Sequence, residues 1–253
     1  MHIYIYDNFL NENKYQSIIA KIETRITDLG LNGKIIRMSA TNSIYSAIEN
    51  EIKKGAKTII AVGNDNLLNQ VINSVIKINL NNGSNSVPIG FIPVGQKDNE
   101  LAKLLGIELD GTACDVLSAR RINELNLGKI NNHFFLFNVS ITTIATVLNI
   151  DKDFSIEIKK EGIITVINSP LNNISSNISK KSNTSSLELQ IKTKNSLFKS
   201  DYKNESIFPF KNLIIENKNT PVIIDNSIKI PTPVEISLSQ EKINLIVGKN
   251  RFF

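Results

Sequence analysis

Apolar residues in the first half of the chain follow two alternating rhythms. Short solid runs, His2 to Tyr6, Lys34 to Met38, Thr58 to Val62 and Val87 to Val94, have the continuous hydrophobicity of strands buried on both faces. Between them, apolar positions recur every three or four residues. Ile18, Ile19, Ile22, Ile26 and Leu29 mark a helix over Asn13 to Gly30, with Gly30 as its stop. Ser43 to Lys54 reads as a second helix, ended by Gly55. Leu68, Val71, Ile72, Val75 and Ile76 mark a third. Strand and helix in alternation imply a parallel sheet flanked by helices.

From about Arg121 the helical rhythm stops. Glu124 to Leu127, Phe134 to Thr143, Ser155 to Ile158, Ile163 to Ile167 and Leu187 to Lys192 read as strands. Asn212 to Ile215, Pro221 to Ile224, Ser227 to Ile230, Glu235 to Leu238 and Ile243 to Val247 follow. Short strands separated by polar turns predict an antiparallel β-sandwich. The expected fold is thus an α/β domain with a parallel sheet over 1–120, then a β-sandwich domain over 121–253. The cleft between the two is the default ligand site. Asn172 to Ser186, rich in Asn, Ser and Lys, is expected to be an exposed, mobile loop.

One corner carries candidate chemistry. The strand ending at Val62 passes through Gly63-Asn64-Asp65-Asn66 into the third helix. Unpaired N–H groups and the dipole at such a helix start favour an anion, so the turn is a candidate phosphate site. Read by itself, Asp65 suits a helix cap.

Composition narrows the rest. With 41% apolar residues among 253, a substantial core is available. A single cysteine, Cys114, forbids an internal disulfide and fits a reducing compartment, so the cytoplasm is the expected location. His2 and His133, without cysteine partners, make no zinc pattern. No run reaches membrane-spanning length, and the apolar start meets Asp7 too early for a signal peptide. The net charge of +5 fits an ordinary lysine-rich surface, or attraction to an anionic membrane. Nucleic acid is not an expected partner, because no recognition motif for it is present.

Three segments together resemble the diacylglycerol kinases and related lipid kinases. Val62 to Val75 is similar to their Gly-Gly-Asp-Gly-Thr turn and following Asn-Glu-Val-x-Asn-Gly helix, sharing Gly63, Asp65, Asn69, Val71 and Asn73. Gly90-Phe91-Ile92-Pro93-Val94-Gly95 with Asn99 to Ile107 resembles the family's Ile-Pro-Leu-Gly-Thr-x-Asn-Asp-Phe-Ala-Arg-x-Leu-Gly-Ile, with one or two extra residues around Gln96 to Asp98. Leu125 to Asn131, followed by Phe134 to Asn138, resembles the strand pair opening the second domain. The resemblance implies ATP and magnesium as cofactors and a lipid hydroxyl as acceptor. It implies Asp65 as the catalytic and metal-holding residue, and Gly63, Asn64, Asn66, Gly95 and Asn99 around the nucleotide. A nucleotide, a lipid or anionic membrane surface and a second copy of the chain are the partners it leaves open.

The chain departs from that pattern where phosphate or a proton would move. Asn64 and Asn66 replace glycines; asparagine tolerates a left-handed turn, but its amide enters the space a phosphate uses. Tyr6-Asp7-Asn8-Phe9 stands where the family has Asn-Pro-x-Ser-Gly, and Asp7 repels an anion. Asp225-Asn226-Ser227 stands for Asp-Gly-Glu, so a serine replaces the expected general base; read by itself, the same stretch is a hairpin turn. Lys97 offers a charge that offsets lost donors, and Asn99 is either a nucleotide contact or a helix cap. The expectation is an ATP-dependent lipid kinase with weak or lost activity. The alternative is a non-catalytic descendant binding a lipid, nucleotide or protein. A kinase of nicotinamide dinucleotides shares the glycine-rich turn, but matches neither Asn99 to Ala102 nor Leu127 to Asn131.

Overall fold

The computed structural model describes residues 1–39, 41–83, 87–95, 99–168, 187–194 and 202–253. The expected loop at Asn172 to Ser186, and Gln96, Lys97 and Asp98, lie outside the described residues. The chain forms two compact units, Met1–Leu125 with Lys242–Phe252, and Asn126–Glu241.

The first unit alternates as its apolar rhythm requires: β1 (His2–Tyr6), α1 (Gln16–Asp28), β2 (Gly33–Arg37), α2 (Ile44–Lys53), β3 (Thr58–Gly63), α3 (Asp65–Asn82), β4 (Ile89–Pro93), α4 (Glu100–Leu104) and α5 (Ala113–Ala119). The strands lie in the order β2-β1-β3-β4, all parallel. β1 from Ile3 onward, and all of β3 and β4, are buried, whereas the edge strand β2 is largely exposed. Ile19, Ile22 and Ile26 turn α1 inward. α3 is buried through Leu67, Leu68, Val71, Ile72, Val75, Ile76 and Ile78, and Gly83 stops it in the left-handed conformation.

The last residues of the chain belong to this unit, whereas the sequence reading ran its second domain through to Phe253. Leu245 pairs in parallel with Ile89. Gly248 N donates to Leu105 O at 2.8 Å, and Phe252 N to Leu104 O at 3.1 Å. Gly106 permits this strapping, since a Cβ there would stand 2.5 Å from Arg251 N.

The second unit is built of antiparallel strands, with β5 up to Leu125 and β16 from Lys242 belonging to the first unit: β5 (Ile122–Ile130), β6 (His133–Phe135), β7 (Asn138–Thr142), β8 (Thr146–Ile150), β9 (Phe154–Glu157), β10 (Gly162–Asn168), β11 (Leu187–Lys194), β12 (Tyr202–Phe210), β13 (Asn212–Asn217), β14 (Val222–Ile224), β15 (Ile228–Ile230) and β16 (Val234–Ile246). One sheet runs β12-β11-β10-β7-β14-β15. The other contains β16, β13, β8 and β9 side by side. Alternate residues of both, among them Leu148, Leu213 and Ile236 from one and Val139, Ile164 and Leu189 from the other, share one buried core. Fold class and order of layers agree with the sequence expectation. Phe134 to Thr143 is two strands rather than one, and Glu235 to Leu238 with Ile243 to Val247 is one strand rather than two. β8, β12 and α5 were not anticipated.

Candidate functional site

In a sheet ordered β2-β1-β3-β4, connections leave β1 and β3 in opposite directions, which opens a crevice beyond their carboxyl ends. The residues there are Asp7 after β1 and Gly63-Asn64 after β3. The sheet register sets Tyr6 beside Val62 and Gly63 beside Pro93, so Val94 and Gly95 share that edge. Five of the six candidate residues, Gly63, Asn64, Asp65, Asn66 and Gly95, therefore gather along one edge. Asn99 is tied to them through α4.

The corner is filled by the protein's own groups. Asp7 N donates to Val62 O at 3.0 Å, which brings the Asp7 side chain over Gly63. A Cβ on Gly63 would stand 2.8 Å from Asp7 Cβ and 3.1 Å from Asp7 Oδ2. The glycine thus makes room for a carboxylate. Burial raises the pKa of Asp7 above the usual carboxylate value, opposed by the backbone N–H groups of Asn8 and Phe9.

Asn64 differs from the expectation. Its backbone is extended, φ −106° and ψ 177°, so no left-handed tolerance is called on. The reason is its position as N-cap of α3, where Oδ1 accepts from Leu67 N at 3.0 Å. That side chain takes up one of the donors a glycine would leave facing a phosphate. Asn66 is exposed on the first turn, its Oδ1 accepting from Gln70 Nε2 at 3.1 Å.

Asp65 is the first residue of α3 and only 7% exposed. Its Oδ2 accepts from Leu101 N at 3.3 Å, so it caps α4. Asn99 is the N-cap of α4, with Oδ1 accepting from Ala102 N at 3.1 Å. Its buried Nδ2 has no hydrogen-bond partner among the described residues. Of its two sequence readings, the cap is therefore made. Asn69 and Asn73 are buried in α3, where Asn73 Nδ2 donates to Asn69 O at 2.9 Å.

Gly95 has φ +88° and faces an aromatic pair that the sequence reading did not single out. A Cβ there would stand 3.0 Å from Phe9 Cε2 and 3.4 Å from Tyr15 Cε1. The two rings meet edge to face with centroids 5.1 Å apart. The fully buried Leu10 and the bond from Asn11 Nδ2 to Met38 O, 3.2 Å, anchor this segment. Its sequence signal is weak, a missing Pro and Gly with two aromatics six positions apart.

Asp65 meets the Leu101 N–H through Oδ2, while its buried Oδ1 accepts no hydrogen bond among the described residues; that one carboxylate oxygen fits a magnesium ion held otherwise by nucleotide phosphates and water.

In the second unit, Asp225-Asn226 forms the β14–β15 turn, as the hairpin reading had it. Both residues have positive φ, and Ser227 N donates to Ile224 O at 2.9 Å. Asp225 is 1% exposed. Its carboxylate accepts from Leu136 N at 2.9 Å and from Phe137 N and Asn138 N at 2.8 Å each. Burial pushes its pKa up to about 6, in spite of those three donors. Asp225 thereby splits β6 from β7 by taking three consecutive N–H groups. Ser227 Oγ donates to Ile224 O at 3.4 Å.

The family model for the diacylglycerol kinase catalytic domain matches residues 3–130. The structure is similar to a solved diacylglycerol kinase from Bacillus anthracis str. Sterne, with TM-score 0.71 and 15% identity over 98% of this chain and 97% of that one. A second structure from that organism, described provisionally as a diacylglycerol kinase, gives TM-score 0.72 and 16% identity over 99% and 98%. No curated protein sequence gave a match. At such identities the structures speak for the fold, whereas the family model spans just over half of the 253 residues, including every candidate residue of the first unit. On that ground, the chain belongs to the diacylglycerol kinase catalytic-domain family.

Proposed function

We propose that this protein is a diacylglycerol kinase-type member whose ATP-dependent phosphorylation of a lipid hydroxyl is slow or absent. Transfer of this kind is almost entirely positioning and neutralisation of phosphate charge. The observation that carries the reading is the corner at β1 and β3. There Asn64 consumes the Leu67 N–H and Asp7 lays a carboxylate against Gly63. A triphosphate entering the corner meets negative charge and an amide where it needs donors.

A further feature points the same way. A serine at position 227 cannot accept a proton as a carboxylate does, a loss typical of about 10²- to 10⁴-fold in rate. What remains is the two-layer fold and its capacity to bind a lipid, a nucleotide or a protein without turning it over.

A radiolabelled assay on mixed micelles of diacylglycerol, run beside Asp65→Ala, tests this. Equal, background-level incorporation by both proteins is expected. Robust turnover that vanishes in Asp65→Ala would overturn the proposal.

A further inference from the structure

The parallel sheet of the first unit ends in an uncovered strand. β2 has β1 on one side and no strand on the other, and Gly33, Lys34, Ile35 and Arg37 are exposed, Ile35 to 41%. One bond fixes the direction of its backbone groups. Met38 N donates to Tyr6 O at 2.9 Å, in step with the pairing of Tyr6 with Arg37. In a parallel ladder the residues on either side of Arg37 then turn toward β1. Lys34 and Ile36 therefore face β1, and Gly33, Ile35 and Arg37 direct both N–H and C=O outward. No backbone group among the described residues meets them there.

Proteins ordinarily blunt such an edge with a proline, a bulge or a projecting charge. β2 reads Gly-Lys-Ile-Ile-Arg and pairs with β1 without a register shift. Its two charges are drawn back onto their own chain. Lys34 Nζ meets Glu51 Oε1 at 2.7 Å, and Arg37 meets Glu23 Oε1 at 2.9 Å while lying 5.0 Å from the centre of the Tyr6 ring. The strand is also self-complementary. Two copies set antiparallel about a twofold axis at Ile35 place Ile35 opposite itself, Arg37 opposite Gly33 and Lys34 opposite Ile36. Like charges do not oppose each other, and the glycine leaves room for the arginine. Each pair of outward-facing residues then exchanges two backbone hydrogen bonds.

We propose that β2 joins two copies of this chain, continuing the sheet of the first unit across a twofold axis at Ile35. Pairing satisfies the open backbone groups and buries Ile35 against its mate, the two gains of strand addition. A contact built on one short strand is small, so a dimer of micromolar dissociation constant is expected. The surface is carried by the first unit alone. It goes beyond the phosphoryl-transfer reading and does not depend on it.

The test is sedimentation velocity over about 1–200 µM, where monomer should pass to dimer. Ile35→Pro removes an N–H that points away from β1, a place where an edge strand accepts proline. It should weaken dimerisation about tenfold or more while circular dichroism stays native. Ile35→Lys, which sets two ammonium groups face to face, should do the same with the backbone intact. Ile144→Lys, a like change at an exposed isoleucine of the second unit, should leave the dimer unchanged. Cross-linking reads the register, since the native Cys114 is buried. Under mild oxidation Ile35→Cys should give a covalent dimer, its Cα atoms standing about 5.5 Å apart across the axis. Lys34→Cys should not, with its Cα atoms about 8 Å apart. A protein monomeric throughout, a dimer indifferent to both Ile35 variants, or equal cross-linking by the two cysteine variants would each overturn the proposal.

Discussion

Replacing Asp225 by alanine removes the acceptor for three successive backbone N–H groups. Leu136 N and Asn138 N are buried and Phe137 N is partly so. Leaving each donor unpaired costs about 1–3 kcal/mol. Against this, the carboxylate is fully buried and its pKa is raised from 3.8 to about 6, so holding it ionised costs about 3 kcal/mol at neutral pH. The net loss for Asp225→Ala at pH 7 is therefore between about 0 and 6 kcal/mol, and the loss at pH 4 is larger. The pH dependence has a definite sign. Between about pH 4 and pH 6 the native state keeps a proton that the unfolded chain releases, so the contribution of Asp225 to stability is full below pH 4 and falls as pH rises through 6. The gap between the unaltered protein and Asp225→Ala should widen by up to about 3 kcal/mol from pH 7 to pH 4. Urea unfolding followed by circular dichroism at both pH values measures it. A loss below about 1 kcal/mol at pH 4, or a gap that narrows on acidification, would refute the view of Asp225 as a structural clamp.

The remaining predictions concern the first unit. Asn64→Ala should cost about 1 kcal/mol as the α3 cap is lost, and Asn64→Gly only a few tenths, both read from thermal unfolding. Gly63→Ala should cost about 1–3 kcal/mol, because the new methyl meets Asp7 Cβ at 2.8 Å and Leu67 Cδ2 at 3.0 Å. Adding Asp7→Gly should recover about 1 kcal/mol or more in a double-mutant cycle; strict additivity would show that Asp7 does not cover the glycine.

The layers were legible because burial wrote them into local rhythm: the solid runs of β1, β3 and β4, and the three-to-four spacing of α1 and α3. What escaped depends on distant contacts. Nothing in Phe134 to Thr143 announces a break, since the group that makes it, Asp225, is 87 to 89 positions away. The turn before β8 is likewise held by Asn217, 71 to 73 positions on, so the strand Thr146–Ile150 passed unrecognised. The candidate site was legible as a list of residues but not as an arrangement. Gly63, Asp65 and Asn99 were identifiable from motif and spacing. That Asp65 would cap α4, that Asn64 would cap α3 in an extended conformation, and that Phe9 and Tyr15 would stand over Gly95 follow from packing of the β1 exit segment and α4 against the corner.

The central claim, that the protein's own side chains close the phosphate corner, is tested most directly by calorimetric titration with ATP and magnesium. The unaltered protein is expected to bind more weakly than about 1 mM, equivalent to less than about 4 kcal/mol. Asp7→Gly/Asn64→Gly, which withdraws both side chains, should bind at least about tenfold more tightly. Low-micromolar binding by the unaltered protein, unimproved in the double variant, would contradict the account.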